Sequence, residues 1–336
     1  MHNRRFLGGD GELGKLEVSF MYLIVIDPDA DRGQAILRLP MIKAHMNANN
    51  LPYEVCIAAG FTDGYWYVTE FCKRNSLCSG IIGMGGDEIV QEIITGLLDS
   101  YPESRNGEKI PIPLGILPSH FGNNFASSFE GNKIHAQSKS NQAPEKVVKH
   151  FFDVFMGGKT REVDVVTTGD MGFINIGNIG LDAVIARDAE ALKPRFDDYC
   201  YFVAGIKTIM KYRATPYTIE IIEGRETEKI SGDFLCVVVC NGRYYGTGMH
   251  VAPEAVIDDG KITLGLVSPM NRLRTMTVMS ALMNESYPVI KEINFKTCDE
   301  LKLTTSPGIY CLDGNIYRHD GEIVFKVLPR ILDLFY

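Results

Sequence analysis

This sequence has no apolar run close to the ~20 residues that a bilayer-crossing helix needs. Its eight cysteines are scattered and none form a C-x-x-C pair, which removes zinc-cage and redox-dithiol readings. Cys236 and Cys240 sit in an apolar, strand-like run. The simplest account of such thiols is burial, reduced, in a cytoplasmic protein. The seven histidines have no metal-ligand spacing, and H-E-x-x-H and G-x-S-x-G are both missing. Positive charge is scarce as well: 34 Lys and Arg against 42 Asp and Glu leave a net charge of -8. That balance argues against a nucleic-acid partner. The opening residues carry Arg4 and Arg5 but no apolar core of a signal peptide. Gly8, Gly9, Gly11 and Gly14 mark residues 1–20 as a disordered extension, with Met21 as an alternative start.

What is present is enough chain for two domains, at 336 residues and 45% hydrophobic content. In the first half, strand and helix signals alternate. Tyr22 to Ile26, Tyr53 to Ala58, Ile81-Ile82 and Ile112 to Leu117 read as strands. Helical spacing separates them, with its third instance at Ile89, Ile93, Ile94 and Leu97. Helices between strands imply a parallel sheet covered on both faces, a Rossmann-like three-layer α/β domain. From Arg161 short strands recur at Val163 to Thr167, Phe173 to Ile176, Thr218 to Ile222, Phe234 to Cys240, Ile262 to Val267, Leu301 to Thr305, Ile309 to Leu312 and Glu322 to Leu328. That density predicts an antiparallel β domain, interrupted by two helices near Tyr201 to Tyr212 and Arg272 to Asn284. The boundary is expected near residues 155–163.

Gly83 to Glu92 is the most informative stretch. It reads as a strand end, a glycine turn and a helix start. Bare glycine backbone beside a helix N-terminus suits a phosphate. Asp87 has two readings here: a group that orients an acceptor or touches a metal, or a cap on its own helix through the N–H of residue 89 or 90.

The stretch resembles the G-G-D-G-T nucleotide loop of the diacylglycerol kinase-like lipid kinases, a loop shared with NAD kinases. Four further segments match that family in order. Pro118, Gly122, Asn123, Phe125 and Ala126 match P-x-G-T-G-N-D-F-A. Phe173, Asn175, Gly180, Asp182 and Ala183 match F-x-N-x-x-x-x-G-F-D-A. Asn241 to Met249, Ala252-Pro253-Glu254-Ala255 and Asp258-Asp259-Gly260 match N-G-x-Y-Y-G-G-G-M, A-P-x-A and D-D-G. Asp313-Gly314-Asn315 lies at the family's D-G-E.

The resemblance implies a kinase that transfers the γ-phosphoryl group of ATP to the hydroxyl of diacylglycerol or a similar lipid. It implies an α/β domain over 21–158, a C-terminal antiparallel β-sandwich over 159–324, and a last segment, 325–336, that returns to the first domain. Carried over, Asp87, Asp313 and Asn315 take the catalytic positions. Gly85, Gly86, Asp87, Glu88, Ile89, Val90, Gln91, His120, Phe121, Gly122 and Asn123 take the nucleotide positions. A structural Mg2+ is implied on the carbonyls of Val256 and Lys261 and the carboxylate of Asp259. Implied partners are a lipid substrate and, peripherally, a membrane; homodimers are common in the family.

Several positions depart from the pattern. Glu88 and Ile89 replace Gly and Thr, Gln91 replaces Asn, His120 and Phe121 replace Gly and Thr, and Asn124 replaces Asp. Asn315 replaces the glutamate that is the family's presumed base, and an amide accepts no proton at neutral pH. A non-catalytic protein binding lipid or nucleotide therefore stands as the alternative. Asp320-Gly321-Glu322 reads as a hairpin turn. Lys207, Lys211 and Arg213 suit either anionic lipid or a helix C-terminus. Met276, Met279 and Met283 suit either a lipid-facing surface or core.

Overall fold

The computed structural model describes residues 21–75, 78–118, 123–130, 144–196, 200–246, 248–283 and 290–335. The expected extension 1–20 and the His120, Phe121 and Gly122 positions lie outside them. The first unit runs β1 (Met21–Ile26), α1 (Leu39–Ala48), β2 (Tyr53–Ile57), α2 (Asp63–Arg74), β3 (Cys78–Gly85), α3 (Asp87–Ser100), β4 (Leu114–Pro118), α4 (Asn124–Glu130) and α5 (Pro144–Gly157). Neighbouring strands in the order β2-β1-β3-β4 pair in parallel. Continuous apolar sequence in β1 and β3 fits strands covered on both faces. On one face Ile42 and Met46 of α1, one turn apart, pack with Phe151, Phe152 and Phe155 of α5. On the other face Val68 and Phe71 of α2 meet Ile89, Ile93, Ile94 and Leu97 of α3. This is the three-layer α/β arrangement that the alternating pattern predicts.

The second unit runs β5 (Thr160–Thr168), β6 (Met171–Phe173), β7 (Ile176–Gly180), α6 (Leu181–Phe196), α7 (Cys200–Ile209), β8 (Thr215–Glu223), β9 (Glu226–Phe234) and β10 (Cys236–Cys240). It continues β11 (Tyr244–Tyr245), β12 (Met249–His250), β13 (Ile262–Val267), α8 (Arg272–Met283), β14 (Ile293–Cys298), β15 (Glu300–Thr304), β16 (Gly308–Leu312), β17 (Asn315–His319) and β18 (Glu322–Phe335). A six-stranded antiparallel sheet, β14-β13-β10-β7-β16-β17, forms one layer. It faces the strands β9-β8-β15-β18 across a core that includes Phe173, Ile219, Val237, Val239, Leu264, Leu301 and Phe325.

The long strand β18 joins the two units. Glu322 to Lys326 pair with β15, Lys326 to Phe335 pair with β5, and Leu334 pairs in parallel with Leu114 of β4. The register shifts between Leu328 and Leu332, where Pro329 cannot donate to the ladder.

Four expectations need correcting. A third helix, α6, precedes α7; its buried Ala183, Ala186 and Ala189 give a weak apolar signal between charged residues. The strand expected over 173–176 breaks at Ile174 and Asn175, whose backbone N–H groups bind Asp313 instead of a neighbouring strand. The polar strand β9 was invisible because most of its residues are exposed. Asp320-Gly321 forms a turn between sheets rather than a hairpin, since β17 pairs with β16 and β18 with β15.

Candidate active site

Helix α3 starts behind the Gly85-Gly86 turn. Gly86 is its N-cap in extended backbone, with no side-chain capping bond. Gly86 carries no side chain, so the cap position itself presents bare backbone at the positive dipole end of the helix. Asp87 caps a different helix. Its Oδ2 accepts the Asn124 N–H at 3.0 Å and Asn124 Nδ2 at 3.1 Å, and its Oδ1 accepts the Phe125 N–H at 3.1 Å. Those N–H groups open α4. Glu92 acts likewise on α2, accepting the N–H groups of Thr62 and Gly64 at 2.9 and 2.8 Å.

From the second unit, Asn175 reaches Asp87. Its Nδ2 donates to Asp87 Oδ2 at 2.9 Å and to the Tyr244 carbonyl at 3.0 Å. Its backbone N–H joins those of Ile174 and Ile176 around the Asp313 carboxylate, the shortest bond being 2.7 Å from Ile176. Asn175 therefore links the two acids. Gly242 must stay bare beside it, since a Cβ there would fall onto the Asn175 side chain.

Both acids are buried. Burial first, then the charge of Asp313, pushes Asp87 up to about 7 against the pull of its N–H donors. Burial pushes Asp313 up to about 7 as well; its three N–H donors oppose this and the charge of Glu88 adds to it. Near the pair, two buried polar atoms have no hydrogen-bond partner among the described residues: Asn175 Oδ1 and Asn123 Nδ2. The Oδ1 of Asn123 accepts the Ala126 N–H at 2.9 Å, so this residue caps α4 while its amide donor stays available.

Two family models cover this architecture. The diacylglycerol kinase catalytic domain matches residues 21–168, and the YegS C-terminal NAD kinase beta sandwich-like domain matches residues 176–336. The chain belongs to the diacylglycerol kinase-like lipid kinase family. It is 30% identical over 197 residues to "Probable lipid kinase YegS-like" of Chromohalobacter salexigens, covering 58% of this chain and 56% of that one. It is 23% identical over 273 residues to "Diacylglycerol kinase" of Bacillus subtilis, covering 75% of this chain and 80% of that one. A crystal structure of a diacylglycerol kinase from Bacillus anthracis str. Sterne shares the fold, with a TM-score of 0.64 at 17% identity over 94% of this chain and 96% of that one.

Within this lipid kinase fold the altered positions have definite places. Ile89 and Val90 point into the core with Ile93 and Leu97, so any contact of theirs with a nucleotide is through backbone. Glu88 lies against the Asp313-Gly314 turn, where a Cβ on Gly314 would meet Glu88 Oε1 at 2.5 Å. The Glu88 side chain is thus directed at the facing turn. Asn315 Nδ2 donates to the Glu88 carbonyl at 3.0 Å and to Gln91 Oε1 at 2.8 Å. Tyr317 donates to the same Oε1 at 2.9 Å, while Gln91 Nε2 donates to Thr95 Oγ1 and the Gly172 carbonyl, both at 3.1 Å. The two family departures at 91 and 315 belong to one buried network.

That network makes a prediction. A carboxylate at 315 would face two acceptors, the Glu88 carbonyl and Gln91 Oε1. Asn315→Glu alone should destabilise the protein by about 2–4 kcal/mol. A thermal melt reads this, and an unchanged Tm would contradict the network.

Val256, Asp259 and Lys261 lie in one turn, packed on β5 and β18 through other residues. Arg161 binds Asp258 at 2.7 Å, and Asp164 accepts the N–H groups of Gly260 and Arg330 at 2.7 and 2.8 Å. Asp259 Oδ1 accepts the Lys261 N–H at 2.9 Å. Burial, then the Asp258 charge, raises the Asp259 pKa, a load that a cation would relieve. Among the described residues no three His, Cys, Asp or Glu side chains cluster as a metal cage. A cation in this turn would rely on one carboxylate and carbonyl oxygens, a donor set that suits Mg2+. Of the methionines in question, Met276 and Met279 pack on the cluster around Ile185 and Ala204.

Proposed function

We propose that this family member is an active ATP-dependent lipid kinase, moving the γ-phosphoryl group of ATP to a hydroxyl of diacylglycerol or a similar lipid between its two units. The observation that supports this most is the Asp87–Asn175–Asp313 cluster, with two acids raised to near neutrality. A base poised there suits proton removal from an alcohol. Asp87 is assigned that proton. Asp313 is assigned the positioning role, because the backbone N–H groups it holds belong to the segment that carries the Asn175 side chain to Asp87.

The Gly85-Gly86 turn, the backbone at the start of α3 and Asn123 would hold ATP, together with His120, Phe121 and Gly122. Bare glycine backbone at the positive end of α3 and an orphaned amide donor fit a polyphosphate. Bound ATP would supply the transferable phosphoryl group, and a divalent cation would screen its charge. Calorimetry with Mg·ATP tests this. Saturable binding with a Kd on the order of 1–1,000 μM is expected from ordinary enzyme substrate affinities; no heat for ATP, ADP or GTP would sink it.

The Val256, Asp259 and Lys261 turn is proposed to hold a structural Mg2+. Magnesium at a hundredfold excess over Kd should stabilise the protein by about 2.7 kcal/mol. Asp259→Ala should erase that gain in a thermal melt, and a wild-type Tm indifferent to magnesium and chelator would remove the site.

One observation favours a second reading. Asn315 is committed as a donor to Gln91 and the Glu88 carbonyl, so no carboxylate stands at the family's base position. On that reading the protein binds lipid or nucleotide without turnover. Activity that is absent from the parent and created by Asn315→Glu with Glu88→Gly and Ile89→Thr would favour it. A cytoplasmic setting, peripheral membrane contact and a homodimer accompany the kinase reading as proposals.

A further inference from the structure

Helix α7 buries one side only. Cys200, Ala204, Gly205, Thr208 and Ile209 face inward. Gly205 faces α8, where a Cβ would make ordinary contact with Met279 Cε at 3.4 Å. On the outer side Phe202, Ile206 and, in the turn that follows, Met210 recur at steps of four and form one row. They are 58%, 40% and 47% exposed, and Leu273 at the start of α8 is 76% exposed. Single exposed apolar side chains are ordinary, but a contiguous row marks a contact surface.

Charge says what the row contacts. Lys207, Lys211 and Arg213 follow it along the chain, and Arg272 stands beside Leu273. No salt bridge joins these four to an acid among the described residues; Asp188, which feels the Lys207 charge, is bound by Arg187 and Thr208. All four are positive in a chain whose net charge is -8. A groove of about 510 Å³ between the turn after α7 and the start of α8 is lined by Tyr212, Arg213, Arg272 and Leu273 among others, so apolar and cationic groups share one surface. Asn271 Oδ1 accepts the Arg274 N–H at 2.9 Å and caps α8 there. A second exposed apolar group, Ile57, Phe61, Trp66 and Tyr67, has the wrong company for an anionic partner: Asp63 and Glu70 share α2 with Trp66 and Tyr67, and Lys73 and Arg74 of that helix are held by Glu70 and Glu54.

We infer that the outer face of α7 and the start of α8 dock the protein on an anionic phospholipid bilayer. Phe202, Ile206, Met210 and Leu273 enter the headgroup boundary, and Lys207, Lys211, Arg213 and Arg272 meet lipid phosphates. The surface stands on these observations; that it delivers an acceptor to the cleft rests on the lipid kinase reading.

Sedimentation with vesicles, without ATP, tests this. The full chain should bind vesicles of phosphatidylcholine mixed with phosphatidylglycerol, bind phosphatidylcholine alone far more weakly, and be released by salt. Each of Lys207→Ala, Lys211→Ala, Arg213→Ala and Arg272→Ala should weaken binding by about fivefold. Phe202→Ser should weaken it by roughly tenfold. All five side chains are at the surface, so circular dichroism should be unchanged. No vesicle binding, binding indifferent to lipid charge, or binding lost in Trp66→Ser but kept in Phe202→Ser would overturn the inference. So would a Phe202-dependent self-association seen by light scattering without lipid. Failure to dock with intact turnover on detergent-dispersed lipid rejects this surface alone; docking without turnover rejects the kinase reading alone.

Discussion

Asp87→Asn lowers kcat by roughly 100- to 10,000-fold on this account, because it removes the general base. An amide oxygen at 87 can still accept an N–H from α4, and asparagine adds no buried charge. Its NH2 would, however, face donors, since Asn124 and Asn175 both present amide N–H groups to the present carboxylate. A modest fall in stability should therefore accompany a large fall in rate. The wild-type pH profile gives a second readout. Burial raises Asp87 and Asp313 to about 7, so below that pH the pair gains a proton and the base is lost. kcat/KM should fall about tenfold per pH unit on the acid side, with an apparent pKa that belongs to the pair. Unchanged turnover in Asp87→Asn, measured by product formation under saturating substrates, would move the base elsewhere.

Asp313→Ala should unfold the site. It leaves the N–H groups of Ile174, Asn175 and Ile176 without their acceptor in a buried place. Each unsatisfied donor costs about 1–3 kcal/mol. Residue 313 also has φ 47, a left-handed conformation that alanine disfavours by about 1–2 kcal/mol and asparagine tolerates better. Some water will enter, so a net loss of about 3–5 kcal/mol is expected, a large part of a typical total of about 5–15 kcal/mol. Asp313→Asn should lose less, because it keeps the backbone preference and one acceptor. The pH dependence has a definite sign. The folded pKa of Asp313 is raised above the unfolded value of about 3.9. Its contribution is therefore complete below pH ~4 and declines as pH rises through about 7. Denaturant melts at both ends of that window should show the larger Asp313→Ala loss in acid; equal Tm values for wild type and variant at low pH would refute the role.

Local pattern made the frame legible. The apolar run of β1 and the spacing of Ile89, Ile93, Ile94 and Leu97 each have one stable use, and parallel pairing follows from alternation. Helix α6 escaped because alanines bury little area, and β9 because its residues face water. Within the site, motifs located Asp87 and Asp313 but not what holds them. That Asp87 caps α4 depends on segments 37 residues apart meeting, and that Asn175 links both acids on contacts across 88 and 138 residues of chain. Tyr317 left a usable trace: alternate strand residues share a face, and it follows Asn315 by two on β17. Glu88 left none, since only the approach of the Gly314 turn decides where its side chain lies.

The most direct test follows the phosphoryl group. The purified full chain would be incubated with magnesium, γ-labelled ATP and diacylglycerol in mixed micelles, then extracted for lipid. Label is expected in a phosphorylated lipid from the wild type and none from Asp87→Asn. Mg·ATP binding without label in any lipid, even from a mixed extract rich in hydroxyl-bearing lipids, would contradict this and leave a binding protein on a kinase scaffold.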